Sequence, residues 1–155
     1  MDKRRIGVRG IIYKDGKILA VRHRRKDGSA ADFWAIPGGG LDPGESLESG
    51  LRREIFEELG VQAVVGRLLF IQQFSSSRED CDEELEFFFL IENTEDFMTI
   101  DYSGTSHGLD ELAMCEFIHP ATEFVRPRFM SRVSIEEYSE SVQPVFVADL
   151  LQVDE

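Results

Sequence analysis

Apolar positions in the first third of the chain come in short runs with turn residues between them. Residues 7–13 and 17–21 are apolar-rich and are separated by Lys14-Asp15-Gly16. Asp-Gly between two such runs predicts a β-hairpin, because both residues tolerate positive φ. Residues 22–32 are polar and read as a loop, 33–36 as a short apolar run, and Pro37-Gly38-Gly39-Gly40 as a break in regular structure. From 46 to 59 the pattern turns helical, with Leu51, Ile55 and Leu59 on one face. Ser46 is suited to cap its start and Gly60 to stop its end. Residues 64–74 and 85–91 read as strands, with Ser75-Ser76-Ser77 and an acidic stretch between them. A further strand is expected at 112–118, a second helix over 124–138 interrupted near Pro127, and a final short strand at 142–147, which Pro144 weakens. Strands outnumber helices and come partly as hairpins. The expected fold class is therefore α+β or α/β, a mixed sheet with helices packed on it. No repeat or linker divides the chain, so one domain over residues 1–155 is expected.

Composition narrows the setting. The chain has 155 residues, 42% apolar and 30% charged, which is ordinary globular usage. The longest apolar run, 87–91, is far short of a membrane span. The basic start Met1-Asp2-Lys3-Arg4-Arg5 is followed by no signal-peptide core, so a cytoplasmic protein without a membrane partner is expected. Cys81 and Cys115 lie far apart, so neither a zinc site nor a disulfide framework is indicated. The net charge of −13 repels bare nucleic acid, which excludes a sequence-independent binder of nucleic acid polymers as the first reading. A phosphorylated ligand would need the conflict resolved locally, by metal ions or a confined basic patch.

The informative segment runs from Gly39-Gly40-Leu41-Asp42-Pro43-Gly44-Glu45 to Arg53-Glu54-Ile55-Phe56-Glu57-Glu58-Leu59-Gly60-Val61. At 3.6 residues per turn, Glu54, Glu57 and Glu58 fall within roughly 100° of one another, beside the apolar face. Carboxylates crowded this way repel each other, an arrangement that makes sense if a divalent cation compensates them. Gly50 lies about one turn before Glu54 and lets the preceding glycine-rich loop lie close against the helix. Arg53, four residues before Glu57, is placed to hold its carboxylate.

This stretch resembles the Nudix box: Gly, five residues, Glu, seven residues, then Arg-Glu-apolar-x-Glu-Glu-x-Gly-apolar. Gly39, Glu45, Arg53, Glu54, Ile55, Glu57, Glu58, Gly60 and Val61 match every specified position, and Trp34-Ala35-Ile36-Pro37-Gly38 resembles the family's lead-in. Gly50 departs from it, where the family usually has Ala. The resemblance to the Nudix (MutT-like) hydrolases covers residues 39–61. It implies a Nudix fold, a mixed sheet sandwiched between helices, with a loop-helix-loop that binds Mg²⁺ or Mn²⁺. It also implies hydrolysis of a diphosphate linkage in a small nucleotide.

By that resemblance Glu57 and Glu58 are expected metal ligands, and Glu54 a further ligand or the base that activates water. Glu45 would brace the loop or bind metal indirectly, the Gly39 carbonyl could complete the coordination, and Arg53 would orient carboxylates. A carboxylate from a later loop is expected too, from Glu111 or alternatively Asp110; the choice of base between Glu54 and Glu111 stays open. A homodimer is compatible with the resemblance.

The basic run 22–26 could contact phosphate, with Arg22 its best candidate, although most of it reads as a solvated loop. Trp34 and Phe33 could stack on a base, with at least one of them expected in the core. His107 sits in a Gly-rich loop, 103–108, able to close over substrate. Within the enzyme reading, ADP-ribose or nucleotide sugars compete with nucleoside triphosphates, including oxidised ones, and the former are favoured slightly. A non-catalytic nucleotide-sensing module is the rival, disfavoured because Glu54, Glu57 and Glu58 are all present.

Overall fold

The computed structural model describes residues 3–100 and 108–151. Among the described residues ten strands form two five-stranded sheets rather than one. In the first, β10 (Phe146–Leu150), β6 (Val65–Ser75), β7 (Glu83–Ile91), β1 (Arg4–Ile11) and β5 (Gly38–Gly40) lie in that order. Here β1 is parallel to β7 and β10 is parallel to β6, while β6–β7 and β1–β5 are antiparallel. In the second sheet β3 (Lys17–His23) is central, pairing with β2 (Tyr13–Lys14), β4 (Trp34–Ala35) and β8 (Leu112–Ile118). The fifth strand, β9 (Val125–Arg126), runs parallel to β4.

The predicted hairpin turns at Asp15 and Gly16, both with positive φ. Its first run, however, divides between the sheets: residues up to Ile11 belong to β1, and Tyr13 opens β2. In β3, Ile18 and Ala20 enter one apolar cluster while Leu19 and Val21 enter the other. Burial on both faces explains why this strand reads as an unbroken apolar run instead of an alternating one.

The long helix α1 (Leu47–Leu59) forms where its periodicity predicts. The Ser46 side chain accepts from the Ser49 N–H, and Gly60 closes the helix at φ 73°. Leu51, Ile55 and Leu59 pack into the cluster with Val8, Leu19 and Val21. Opposite it, Phe129, Met130 and Ile135 join Phe70 and Phe88 in the second cluster. The two sheets thus lie between α1 and the segment that holds α3 (Ile135–Glu140).

Three predicted elements need correction. The helix expected over 124–138 does not form as one piece. Pro127 supplies no N–H, so Val125–Arg126 pairs as β9, a 3-10 turn covers Arg128–Ser131, and Ser134 caps the separate α3. The glycine run after Pro37 is not a break but β5, with Gly39 opposite Val8. The final strand lies beyond Pro144, at Phe146–Leu150, where it can donate to β6. His107 and its loop, 103–107, lie outside the described residues. Among the described residues no helix is long and apolar enough to cross a membrane.

Candidate active site

The loop before α1 is brought onto the helix by two glycines. A Cβ at Gly50 would collide with the Leu41 side chain, and one at Gly39 with the Glu54 carboxylate. Small residues at these positions let loop and helix touch, so carboxylates from both meet around one guanidinium. Arg53 Nε and Nη2 donate to the two oxygens of Glu45, each at 2.8 Å. Its Nη1 donates to Glu54 at 3.0 Å and to Glu57 at 3.1 Å, and Nη2 also reaches the Gly40 carbonyl at 3.1 Å. Glu45 in turn accepts from the Asp42 N–H at 2.8 Å, which fixes the loop. The Arg53 hydrogen bonds hold the Glu45 carboxyl down at about 2.

Glu58, one turn beyond Glu54, is held by the Gly38 N–H. It is 5% exposed, and its Oε1 has no hydrogen-bond partner among the described residues. Burial pushes its carboxyl up to about 8, opposed by Arg9 and by the Gly38 N–H and reinforced by Glu54 and Glu111. Burial also raises Glu54, against the pull of Arg53. Glu111 ends the short helix α2 (Gly108–Glu111), which packs on α1, and its charge reaches Glu58 and His23. Glu111 and Asp110, the alternative acid, are both exposed. Burial and Arg9 lower the His23 imidazole.

Among the described residues no three His, Cys, Asp or Glu side chains already converge as a metal cage. Of the expected set, Glu45, Glu54 and Glu57 stand around Arg53, while Glu58 lies apart beneath Gly38. The donor set still suits a hard divalent cation. Arg53 draws Glu54 and Glu57 together, and the orphaned buried oxygen of Glu58 calls for a positive partner.

A cleft of about 790 Å³ opens between the two sheets; the carboxylates of α1 do not line it, and Arg9 of its wall, whose charge reaches Glu58, links the two. Arg5, Arg9, Gln72, Phe74, Glu84 and Glu86 line it from the first sheet. Phe33, Ala35, Ile36, Arg126 and Pro127 close it from the side of β4 and β9, and Arg78 stands among its lining residues. Four arginines against two glutamates give the lining a net charge of +2, in a chain whose total is −13. That is the confined basic patch the charge balance called for, but it is not the run 22–26. Arg22 lies over the Trp34 ring at 4.6 Å, and Trp34 is only 4% exposed in the core. Neither lines the cleft, so the stacking role expected of Trp34 has no open ring face; Phe33 lines the cleft instead.

Sequence reasoning missed Arg5, Arg9, Gln72, Glu84, Glu86 and Arg126. A signal was present: Arg5 and Arg9, like Glu84 and Glu86, keep a strand's period of two, which puts charge on a single face. The register that pairs those strands is a tertiary choice that local spacing does not encode.

A model of the NUDIX domain family matches residues 3–133. The chain belongs to that family. Among NUDIX relatives, the nucleoside triphosphatase NudI of Escherichia coli strain K12 is 46% identical over 55 residues, 36% of this chain and 39% of that protein. The chain therefore matches about two fifths of the length of this relative. The solution structure of the E. coli ORF135 protein superposes with a TM-score of 0.63 at 23% identity, covering 83% of this chain and 85% of that one. An ADP-ribose pyrophosphatase from Streptococcus suis superposes at 0.57 and 16% identity, covering 94% and 98%. Such identities establish the NUDIX fold, a mixed α+β architecture, and leave the chemistry to the site itself.

Proposed function

We propose that this NUDIX protein hydrolyses a diphosphate linkage in nucleoside diphosphate derivatives of the ADP-ribose or nucleotide-sugar kind, with Mg²⁺ or Mn²⁺. The observation that carries the reading is the orphaned, buried Glu58 oxygen next to the Arg53-centred carboxylates, with Arg9 of the positively charged cleft lining acting on the same Glu58. Glu57 and Glu58 would hold the cation, with Glu54 as a further ligand; a bound cation supplies charge neutralisation on the phosphates and a more acidic water. Arg53 is a positioning residue, because its donors are spent on carboxylates. Glu45 ties the loop to the helix. Glu54 or Glu111 takes the proton from the attacking water, both standing close enough to Glu58 to share its field. The net positive charge of the cleft lining draws in the phosphorylated group and offsets the repulsion of the acidic surface.

The similarity to NudI favours a second reading, a nucleoside triphosphate pyrophosphatase. A panel of ADP-ribose, nucleotide sugars and nucleoside triphosphates with Mg²⁺ separates the two, scored for phosphate with and without added phosphatase. Phosphate appearing from ADP-ribose or a nucleotide sugar only after phosphatase treatment supports the first reading. Turnover of triphosphates alone supports the second. Glu58→Gln and Glu57→Gln should each lower turnover by roughly 100-fold or more with the fold intact, since even residues behind metal ligands cost 10–100-fold. Near-normal turnover of both variants in saturating Mg²⁺ removes these residues from the mechanism.

A further inference from the structure

The floor of the cleft carries a hydrogen-bonding pattern that the hydrolysis chemistry leaves unused. Gln72 on β6 stands directly opposite Glu86 on β7, and both are nearly fully buried, at 1% and 5% exposure. Gln72 Nε2 donates to Glu86 Oε1 at 3.1 Å, and Arg9 Nε donates to Glu86 Oε2 at 2.8 Å. Arg9 is itself anchored by the Ile36 carbonyl at 3.0 Å. A carboxylate held by an arginine can only accept, so the Gln72 amide must turn its N–H toward Glu86 and its oxygen away. That oxygen has no partner among the described residues. Arg9 and Glu86 thereby lock in one orientation the amide of Gln72, a residue of the cleft lining whose own oxygen is buried and unpaired. The side of β4 and β9 offers planar groups, with the Arg126 guanidinium 4.5 Å over the Phe33 ring.

We infer that this end of the cleft takes a nucleobase bearing an exocyclic amine, with Gln72 as the residue that selects it. The inference rests on the nucleotide-diphosphate reading above and names the base class at that site. A flat ring would stack on the outer face of the Arg126 guanidinium, which itself covers one face of the half-buried Phe33, and an amine supplies the donor that Gln72 Oε1 lacks. Uracil is disfavoured. Its one edge donor, N3–H, lies between two carbonyl oxygens, so turning it toward Gln72 brings a carbonyl oxygen against the acceptor-only Glu86 carboxylate. Such a mismatch leaves buried polar atoms unpaired, which is how sites built around a hydrogen bond discriminate.

CMP and UMP form a test pair of nearly identical size that is not hydrolysed, so calorimetric binding to the Mg²⁺-supplemented protein reads recognition alone. CMP is expected to bind about tenfold more tightly than UMP. Gln72→Met, similar in shape but without the acceptor, should bring that ratio to within about twofold while leaving ribose 5-phosphate affinity unchanged. Equal binding of CMP and UMP to the wild type, binding of neither, or a folded Gln72→Met protein that keeps the preference overturns the assignment. Should that variant fail to fold, the wild-type pair alone decides. Loss of the CMP preference in a protein that still hydrolyses diphosphates defeats only this inference, whereas a preserved preference without hydrolysis defeats only the proposed activity.

Discussion

Two arginines organise this molecule in contrasting ways. Arg53 gathers Glu45, Glu54 and Glu57 from within eight residues of itself, at a border that water reaches. Arg9 meets Glu86 across 77 positions of sequence, and its partner carboxylate is almost wholly enclosed between the sheets. The first cluster is a surplus of acids around one base, a local charge imbalance suited to a cation. The second is a one-to-one pair in a poorly solvated place, where loss of either partner strands a charge. The same pair of chemical groups thus crowds negative charge in one place and neutralises it in the other.

Removing each arginine in turn sharpens that contrast. Arg9→Met should cost the most stability, about 3 kcal/mol, because Glu86 is left buried without its cation. Arg53→Met should cost about 1–2 kcal/mol, since water can solvate the released carboxylates, yet lower turnover by roughly 10–100-fold. Urea unfolding and kcat/KM on both variants check the pair; a larger stability loss in Arg53→Met would break the comparison.

A smaller effect concerns pH. The folded Glu45 carboxyl sits near 2, below its ordinary 4.5, so its contribution is present in full above 4.5 and fades as pH falls toward 2. In chelator, the stability difference between wild type and Glu45→Gln should be constant at neutral pH and vanish through that acid window. A difference that persists unchanged at pH 2 would show that Arg53 does not hold Glu45 in solution.

The smallest effect is expected at Gly50. Alanine there gains about 1 kcal/mol of helix propensity but presses on the Leu41 side chain, whose terminal methyl can yield. Gly50→Ala should therefore melt within a few degrees of wild type. A large drop in Tm would mean that the loop cannot back away from the helix.

Much of the Arg53 region was legible because its causes are local. The cap at Ser46, the stop at Gly60, the apolar stripe of Leu51, Ile55 and Leu59, and the acids beside it all follow from positions a turn or two apart. The strand at 112–118 was legible for the same reason. The segment 124–138 was not. Its apolar spacing suits a helix, but Pro127 and the chance to pair Val125 with Trp34 outweighed that preference. The second cluster was invisible as a site, since Arg9, Gln72 and Glu86 are unremarkable letters until register aligns them.

The linear order of residues settled the family, the loop-helix unit and the crowding of carboxylates on it, because helix geometry converts spacing directly into proximity. Folding in three dimensions alone decided the two-sheet arrangement, the burial of Trp34 beneath Arg22 and the gathering of distant arginines into a positive cleft. Strand pairing is a long-range choice, made by burial and register together, and no short stretch of chain encodes it.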